Sequence, residues 1–180
     1  MKIRFFILLG IISMTLLLGC ESDWYPIFED WLCTINIDGT DLEYIRSSFG
    51  NFLLSPDRQT LIEYTKNKFY SVSLNDLSSR ILILDYGDDA DGIKYPTLSN
   101  TYIAFWHHKD IYTLDLETYN VNKLTDSGNN RYPAISNDES KIAYTCLNDS
   151  FSTIYVMDSD GSNNNKIFEI ENIGLEIKIY

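Results

Sequence analysis

The side chains of this sequence that could do chemistry fall into a few places. His107 and His108 are its two histidines, and imidazole serves both as a general base and as a transition-metal ligand. Neighbouring residues on a strand point to opposite faces, so both rings could hold one ion only if a turn separated them. A structural or surface role is the favoured reading. Asp85-Tyr86-Gly87-Asp88-Asp89-Ala90-Asp91-Gly92 puts four carboxylates into eight residues, and hard oxygen donors on a glycine-containing loop are what calcium takes. The spacing departs from the twelve-residue calcium loop, which favours a solvated turn. Asp158-Ser159-Asp160-Gly161 offers a similar set, but Asp38-Gly39 repeats its last two residues between two other apolar runs, as hairpin turns do. Cys33 and Cys146 could be bridged in an oxidising compartment or stay as buried free thiols, and free thiols are favoured.

Catalytic parts are otherwise missing. The sequence has no Gly-x-Ser-x-Gly, no His-Glu-x-x-His, no phosphate loop and no Gly-x-Gly-x-x-Gly. The expectation is a protein without catalytic residues, without a metal and without a cofactor, and not an enzyme. Its 13 tyrosines and three tryptophans supply rigid amphipathic area suited to protein or sugar surfaces. Trp106, Tyr132 and Tyr155 are the aromatics to follow, although no ligand-binding residue can be fixed from sequence.

Composition narrows the partners. With 14 Lys and Arg against 26 Asp and Glu among 180 residues, the formal charge is −12, which repels phosphate backbones and anionic headgroups alike. Nucleic acid is excluded as a partner. A hydrophobic share of 44% is that of a packed domain, not of a disordered acidic tail.

The elements that must position these residues begin after an apolar leader. Lys2 and Arg4 precede the apolar run Phe5 to Leu16, which ends in Leu17-Leu18-Gly19-Cys20, the layout of a secretory signal. Phe5 to Gly19 is fifteen residues, short of the roughly 18 to 20 that span a bilayer as a helix. Leu17-Leu18-Gly19-Cys20 resembles the lipobox of bacterial lipoproteins. That resemblance implies removal of residues 1–19, a diacylglyceryl group with palmitate-type chains on Cys20, and attachment of the protein to an envelope membrane, facing the periplasm or the exterior.

The remainder repeats itself. Tyr95-Pro96-Thr97-Leu98-Ser99 answers Tyr132-Pro133-Ala134-Ile135-Ser136, and Phe52-Leu53-Leu54-Ser55-Pro56-Asp57 holds the same place in an earlier copy. Three further apolar runs follow each: Thr60 to Thr65, Phe69 to Val72 and Arg80 to Leu84 in the first copy. Tyr102 to Trp106, Ile111 to Asp115 and Val121 to Leu124 make the second, and Lys141 to Cys146, Ile154 to Asp158 and Lys166 to Ile170 the third. The runs are short, rich in Ile, Tyr, Val, Phe and Thr, and bounded by Asn, Asp, Gly and Ser, so they read as strands joined by tight turns. Four strands at a period of about 40 residues match a β-propeller blade. Blades are covered on both faces, so their strands should carry apolar residues on both sides of the pleat.

Leu124-Thr125, Tyr132 to Asp138, Lys141-Ile142-Ala143-Tyr144 and Ile154 to Asn163 together resemble one repeat of the TolB-type β-propeller family. The likeness extends over about Leu32 to Ile170, with Cys33 to Thr40 matching the end of such a repeat. The expected organisation is a leader over 1–19, a lipidated tether over 20–30 and all-β propeller repeats over 31–180, about three and a half to four blades. Leu32 to Ile37 and Leu42 to Ile45 would be outer strands, and Leu175 to Tyr180 could splice in as an inner one. A small closed ring, an open arc and a ring completed by another chain all stay open. The family's Ser-Pro-Asp-Gly loop has lost its glycine in Ser55-Pro56-Asp57-Arg58, Ser99-Asn100-Thr101 and Ser136-Asn137-Asp138-Glu139, which predicts another turn geometry. Propellers of this kind commonly act as interaction platforms, which implies a binding module for an envelope protein or glycan. The alternative is a partial or degraded relative of a propeller enzyme, a metal-dependent lyase or a peptidase accessory domain.

Overall fold

A computed structural model describes residues 4–11, 29–36, 43–47, 51–73 and 76–171. Cys20, Asp38-Gly39 and the segment 175–180 lie outside them. The described residues are all β, in two compact units, Met1–Asn51 and Phe52–Tyr180. No helix among them is long and apolar enough to cross a membrane.

The first unit is an antiparallel sheet of β1 (Arg4–Ile11), β2 (Glu29–Asn36) and β3 (Glu43–Ser47), in that order. β2 and β3 fall where two paired strands were expected, joined from Trp31 opposite Ser47 to Thr34 opposite Glu43. The front of the apolar leader supplies β1, which pairs with β2 from Arg4 opposite Asn36 to Ile11 opposite Glu29.

The second unit holds three four-stranded antiparallel sheets, each strand bonded to the next in the chain. They are β4 (Asn51–Leu54), β5 (Thr60–Tyr64), β6 (Lys68–Ser73) and β7 (Asp76–Asp85), then β8 (Lys94–Leu98), β9 (Tyr102–His107), β10 (Asp110–Asp115) and β11 (Val121–Lys123). The last is β12 (Asn130–Ile135), β13 (Lys141–Leu147), β14 (Phe151–Asp158) and β15 (Asn165–Glu171). Each sheet is one blade of the repeat.

The middle blade is covered on both faces, and β9 shows how. Ile103 and Phe105 pack with Ile62, Phe69 and Ile83 of the first blade, while Ala104 and Trp106 join Ile142, Tyr144 and Met157 of the third. Alternate side chains feed two different cores, so the strand is apolar without interruption, as a doubly covered sheet requires.

The loops after β4 and β12 correct the turn prediction. Arg58 and Glu139, at the positions where the resembled repeat carries glycine, have left-handed backbone, with φ 60° and 61°. Ser55 and Ser136 accept the N–H of Thr60 and Lys141, both at 3.0 Å, and Asp57 and Asp138 accept the hydroxyls of those serines at 2.6 Å. The turn survives because these side-chain bonds hold it closed. The loops also join blades: Asn100 Oδ1 accepts the Asp57 N–H at 2.9 Å, and Glu139 accepts the Asn100 N–H at 2.9 Å.

Candidate functional site

β9 ends at His107 and β10 begins at Asp110, so His108 and Lys109 form a two-residue hairpin loop. Both take positive φ, 45° and 67°, the pattern that Asn-Gly usually supplies. The rule that neighbours face opposite ways therefore stops at His107, and the turn needed to bring the two rings together is present.

The connector from Tyr86 to Ile93 folds over this hairpin. Gly92 has φ 62°, and a Cβ there would sit 2.5 Å from the Lys66 carbonyl oxygen. Its own carbonyl lies 3.0 Å from His107 Nδ1. Asp89 Oδ1 accepts the Asp91 N–H at 2.9 Å, which turns Oδ2 toward the histidines: 2.7 Å from His108 Nε2 and 3.5 Å from His107 Nε2. Asp91 Oδ2 lies 3.1 Å from His108 Nδ1. His107 is buried and stacks on Tyr86 with centroids 4.0 Å apart. Burial pushes the Tyr86 phenol up to about 12, while the Asp91 N–H and, after it, His108 hold Asp89 below the usual carboxylate value against the upward pull of burial.

Two features weighed separately in the sequence are thus one cluster. Of the acidic loop, Asp89 and Asp91 join the histidines, whereas Asp85 pairs with Lys68 at 2.8 Å. Sequence could flag the loop and the pair; it could not show which carboxylate reaches rings 18 and 19 residues further on.

Asp110 fixes the other side of the hairpin. Its Oδ1 accepts from Asn130 Nδ2 at 2.8 Å, Thr125 Oγ1 at 3.0 Å and the Gly128 N–H at 3.1 Å, and Lys123 Nζ lies 2.9 Å from Oδ2. No reading of the sequence singled out this residue, since an aspartate beginning a strand carries no local signal of a buried network.

A second arrangement lies on β8 and β12, first strands of adjacent blades. Tyr95 and Tyr132, each before a proline, have φ 52° and 55°, and the ladder breaks between Lys94 and Thr97 and between Arg131 and Ala134. Such bulges re-aim side chains. The two rings meet with centroids 4.3 Å apart, and Tyr95 is 42% exposed. Trp106, buried at 5% exposure, stands edge-on to Tyr95 at 6.5 Å with Lys94 Nζ 4.5 Å over its ring. Of the aromatics singled out earlier, Tyr132 belongs to this pair and Trp106 backs it. Tyr155 stacks on Tyr144 at 5.5 Å inside the core between the second and third blades. Tyr95 was overlooked, although the repeated Tyr-Pro pointed to it.

The remaining candidates are structural or undescribed. Asp158 to Gly161 is a turn, with the Gly161 N–H on the Asp158 carbonyl at 2.9 Å and Lys141 paired with the Asp158 carboxylate. Cys146 is a half-buried free thiol. The side chain of Cys33 lies outside the described residues.

Neither a family model nor a curated protein sequence matches the chain. Among solved structures it is similar to a TolB-type protein from Agrobacterium tumefaciens, at 16% identity and TM-score 0.59, over 79% of this chain and 58% of that one. It is similar also to oligogalacturonate lyase from Vibrio parahaemolyticus, at 14% identity and TM-score 0.58, over 76% of this chain and 46% of that one. The N-terminal domain of Nup159 matches at 16% identity and TM-score 0.57, over 78% of this chain and 39% of that one. Likeness at such identities shows the fold alone, a propeller arrangement of blades. The chain spans about half the length of the first two.

Proposed function

We propose that this protein is a lipid-anchored component of the bacterial cell envelope whose blades bind a protein or glycan partner and carry out no chemistry of their own. The observation behind this reading is the Tyr95–Tyr132 pair. Left-handed backbone costs a residue with a Cβ about 1–2 kcal/mol, and two successive blades hold a tyrosine in it at the same position. Strain of this kind gathers at functional positions. The result is an exposed aromatic shelf backed by a buried tryptophan, rigid and able to stack on a sugar face or an apolar protein surface.

The anchor rests on the lipobox-like Leu17-Leu18-Gly19-Cys20, and cleavage before Cys20 takes β1 with it, so the pairing of β1 with β2 belongs to the unprocessed chain. Acyl chains contribute about 0.8 kcal/mol per buried methylene, and more than one is needed for lasting attachment, which a diacylated cysteine provides. The strongly acidic surface then needs no attraction to headgroups.

A photo-crosslinking residue at Tyr95 in intact cells tests the binding reading. One discrete adduct, protein or saccharide, is expected, and Tyr132→Ala should abolish it. An adduct of equal yield from the exposed Glu117 would mean chance collision and end the proposal. Cys20→Ser should remove palmitate labelling and release the protein from membranes; retention of both would overturn the anchor.

A further inference from the structure

We infer that Asp89, His107 and His108 form a binding site for one divalent transition-metal ion of the zinc class, with Gly92 and Asp91 as its supporting shell. This inference rests on neither the lipid anchor nor the aromatic shelf.

The argument is one of proton inventory. A carbonyl oxygen only accepts, so the Gly92 carbonyl 3.0 Å from His107 Nδ1 places the ring hydrogen on Nδ1 and leaves a lone pair on Nε2. His108 stands between two carboxylates, Asp91 Oδ2 3.1 Å from Nδ1 and Asp89 Oδ2 2.7 Å from Nε2, and a neutral ring carries one hydrogen for the two of them. With that hydrogen on Nδ1, both Nε2 atoms aim lone pairs at one carboxylate oxygen, Asp89 Oδ2, 3.5 and 2.7 Å away. Three acceptors then meet, and among the described residues no lysine or arginine pairs with Asp89. A proton on His108 Nε2 would satisfy that nitrogen and leave His107 Nε2 facing the anion; a cation satisfies all three.

The geometry suits a metal. The three donor atoms lie within 4.8 Å of one another. Ligands at about 2.1 Å from a tetrahedral ion stand about 3.4 Å apart; His107 Nε2 and Asp89 Oδ2 stand at 3.5 Å, and the exposed His108 ring, at 2.7 Å, would draw back on binding. Metal-bound histidines almost always give their other N–H to a carbonyl or a carboxylate, and here one ring has each. Two imidazoles and one carboxylate select zinc, cobalt, nickel or copper over calcium and magnesium, which prefer oxygen alone. The supports are built into the backbone: Gly92 has no room for a Cβ, and the left-handed His108 swings its ring back over the connector. With the His108 side chain 53% exposed, the site opens to solvent, and a fourth position remains for water or an exogenous ligand.

The test uses the whole protein, produced without a histidine tag and stripped of metal with a chelator. Calorimetric titration with zinc chloride should saturate at one equivalent. His108→Gln and Asp89→Asn should each weaken binding at least tenfold, Asp91→Asn by about tenfold, and Asp88→Asn on the same loop should leave it unchanged. Because a variant at the buried His107 could unfold the blade, the donor set is read on the unaltered protein with Co2+. A visible ligand-field band of a four- or five-coordinate ion is expected, undiminished by millimolar calcium. Absence of binding, the spectrum of the aqueous ion, displacement by calcium, or equal losses in Asp88→Asn and Asp89→Asn would each overturn the site.

Discussion

Glu139, with its backbone at φ 61°, accepts the Asn100 N–H from the neighbouring blade at 2.9 Å. The same carboxylate takes the Thr101 hydroxyl at 2.6 Å, and the Glu139 carbonyl takes the Tyr102 hydroxyl at 3.1 Å. Three hydrogen bonds at about 1 kcal/mol each offset the about 1–2 kcal/mol that the left-handed backbone costs. Arg58 carries the same strain at φ 60° without a side-chain hydrogen bond among the described residues.

The two positions should therefore respond in opposite ways to glycine. Arg58→Gly is expected to leave the melting temperature unchanged or raise it by up to about 3 °C, because relief of strain outweighs the added freedom of the unfolded chain. Glu139→Gly gains the same relief but forfeits the two side-chain hydrogen bonds while keeping the one to its carbonyl, and should lower stability by about 1 kcal/mol. Thermal melts of the two variants in parallel decide it, and the reverse order would refute the account.

Asp110 gives stability a pH dependence of known sign. Burial pushes its pKa up, but the hydrogen bonds from Lys123, Asn130, Gly128 and Thr125 more than reverse this, and the folded value lies below 3.8. A carboxyl depressed by folding stabilises fully above its unfolded value, and that contribution is lost as pH falls through the folded one. Urea melts between pH 5 and pH 2 should show a shallower acid decline for Asp110→Asn, from a lower starting stability.

Gly92→Ala should be among the more damaging single changes. The added Cβ would meet the Lys66 carbonyl at 2.5 Å in a backbone of φ 62°, so steric and conformational penalties combine to about 3 kcal/mol. A urea midpoint within error of the unaltered protein would show that the connector yields instead.

Phe105 meets Phe69 edge-on, centroids 5.4 Å apart, and is fully buried in the core between the first two blades. Phe105→Ala is expected to cost about 3–5 kcal/mol. Calorimetry should show whether the loss lowers one cooperative transition or splits it in two.

Much of this was legible in the residues. β9, β10, β13 and β14 fall within one to three residues of the apolar runs that announced them, because strands buried on both faces are mostly apolar along their length. β7 runs from Asp76, four residues ahead of its apolar run, since Asp and Ser at the start of an outer strand look like loop. The Arg58 and Glu139 turns were misread for a different reason. Residue preference registers the absence of glycine, whereas serine, aspartate and inter-blade bonds hold the old geometry in place. The His107–His108 hairpin escaped for the same cause, as neither residue announces a left-handed turn and only Asp89, far back in the chain, shows what the turn achieves.

Trp106 carries a further consequence. Its indole N–H is buried with no partner among the described residues, between the second and third blades and beneath the Lys94 ammonium. An indole so shielded fluoresces toward the blue, and water entering the seam would shift it red. With Trp24 and Trp31 replaced by phenylalanine, the protein becomes its own optical gauge, reporting the parting of that one seam apart from events elsewhere in the chain.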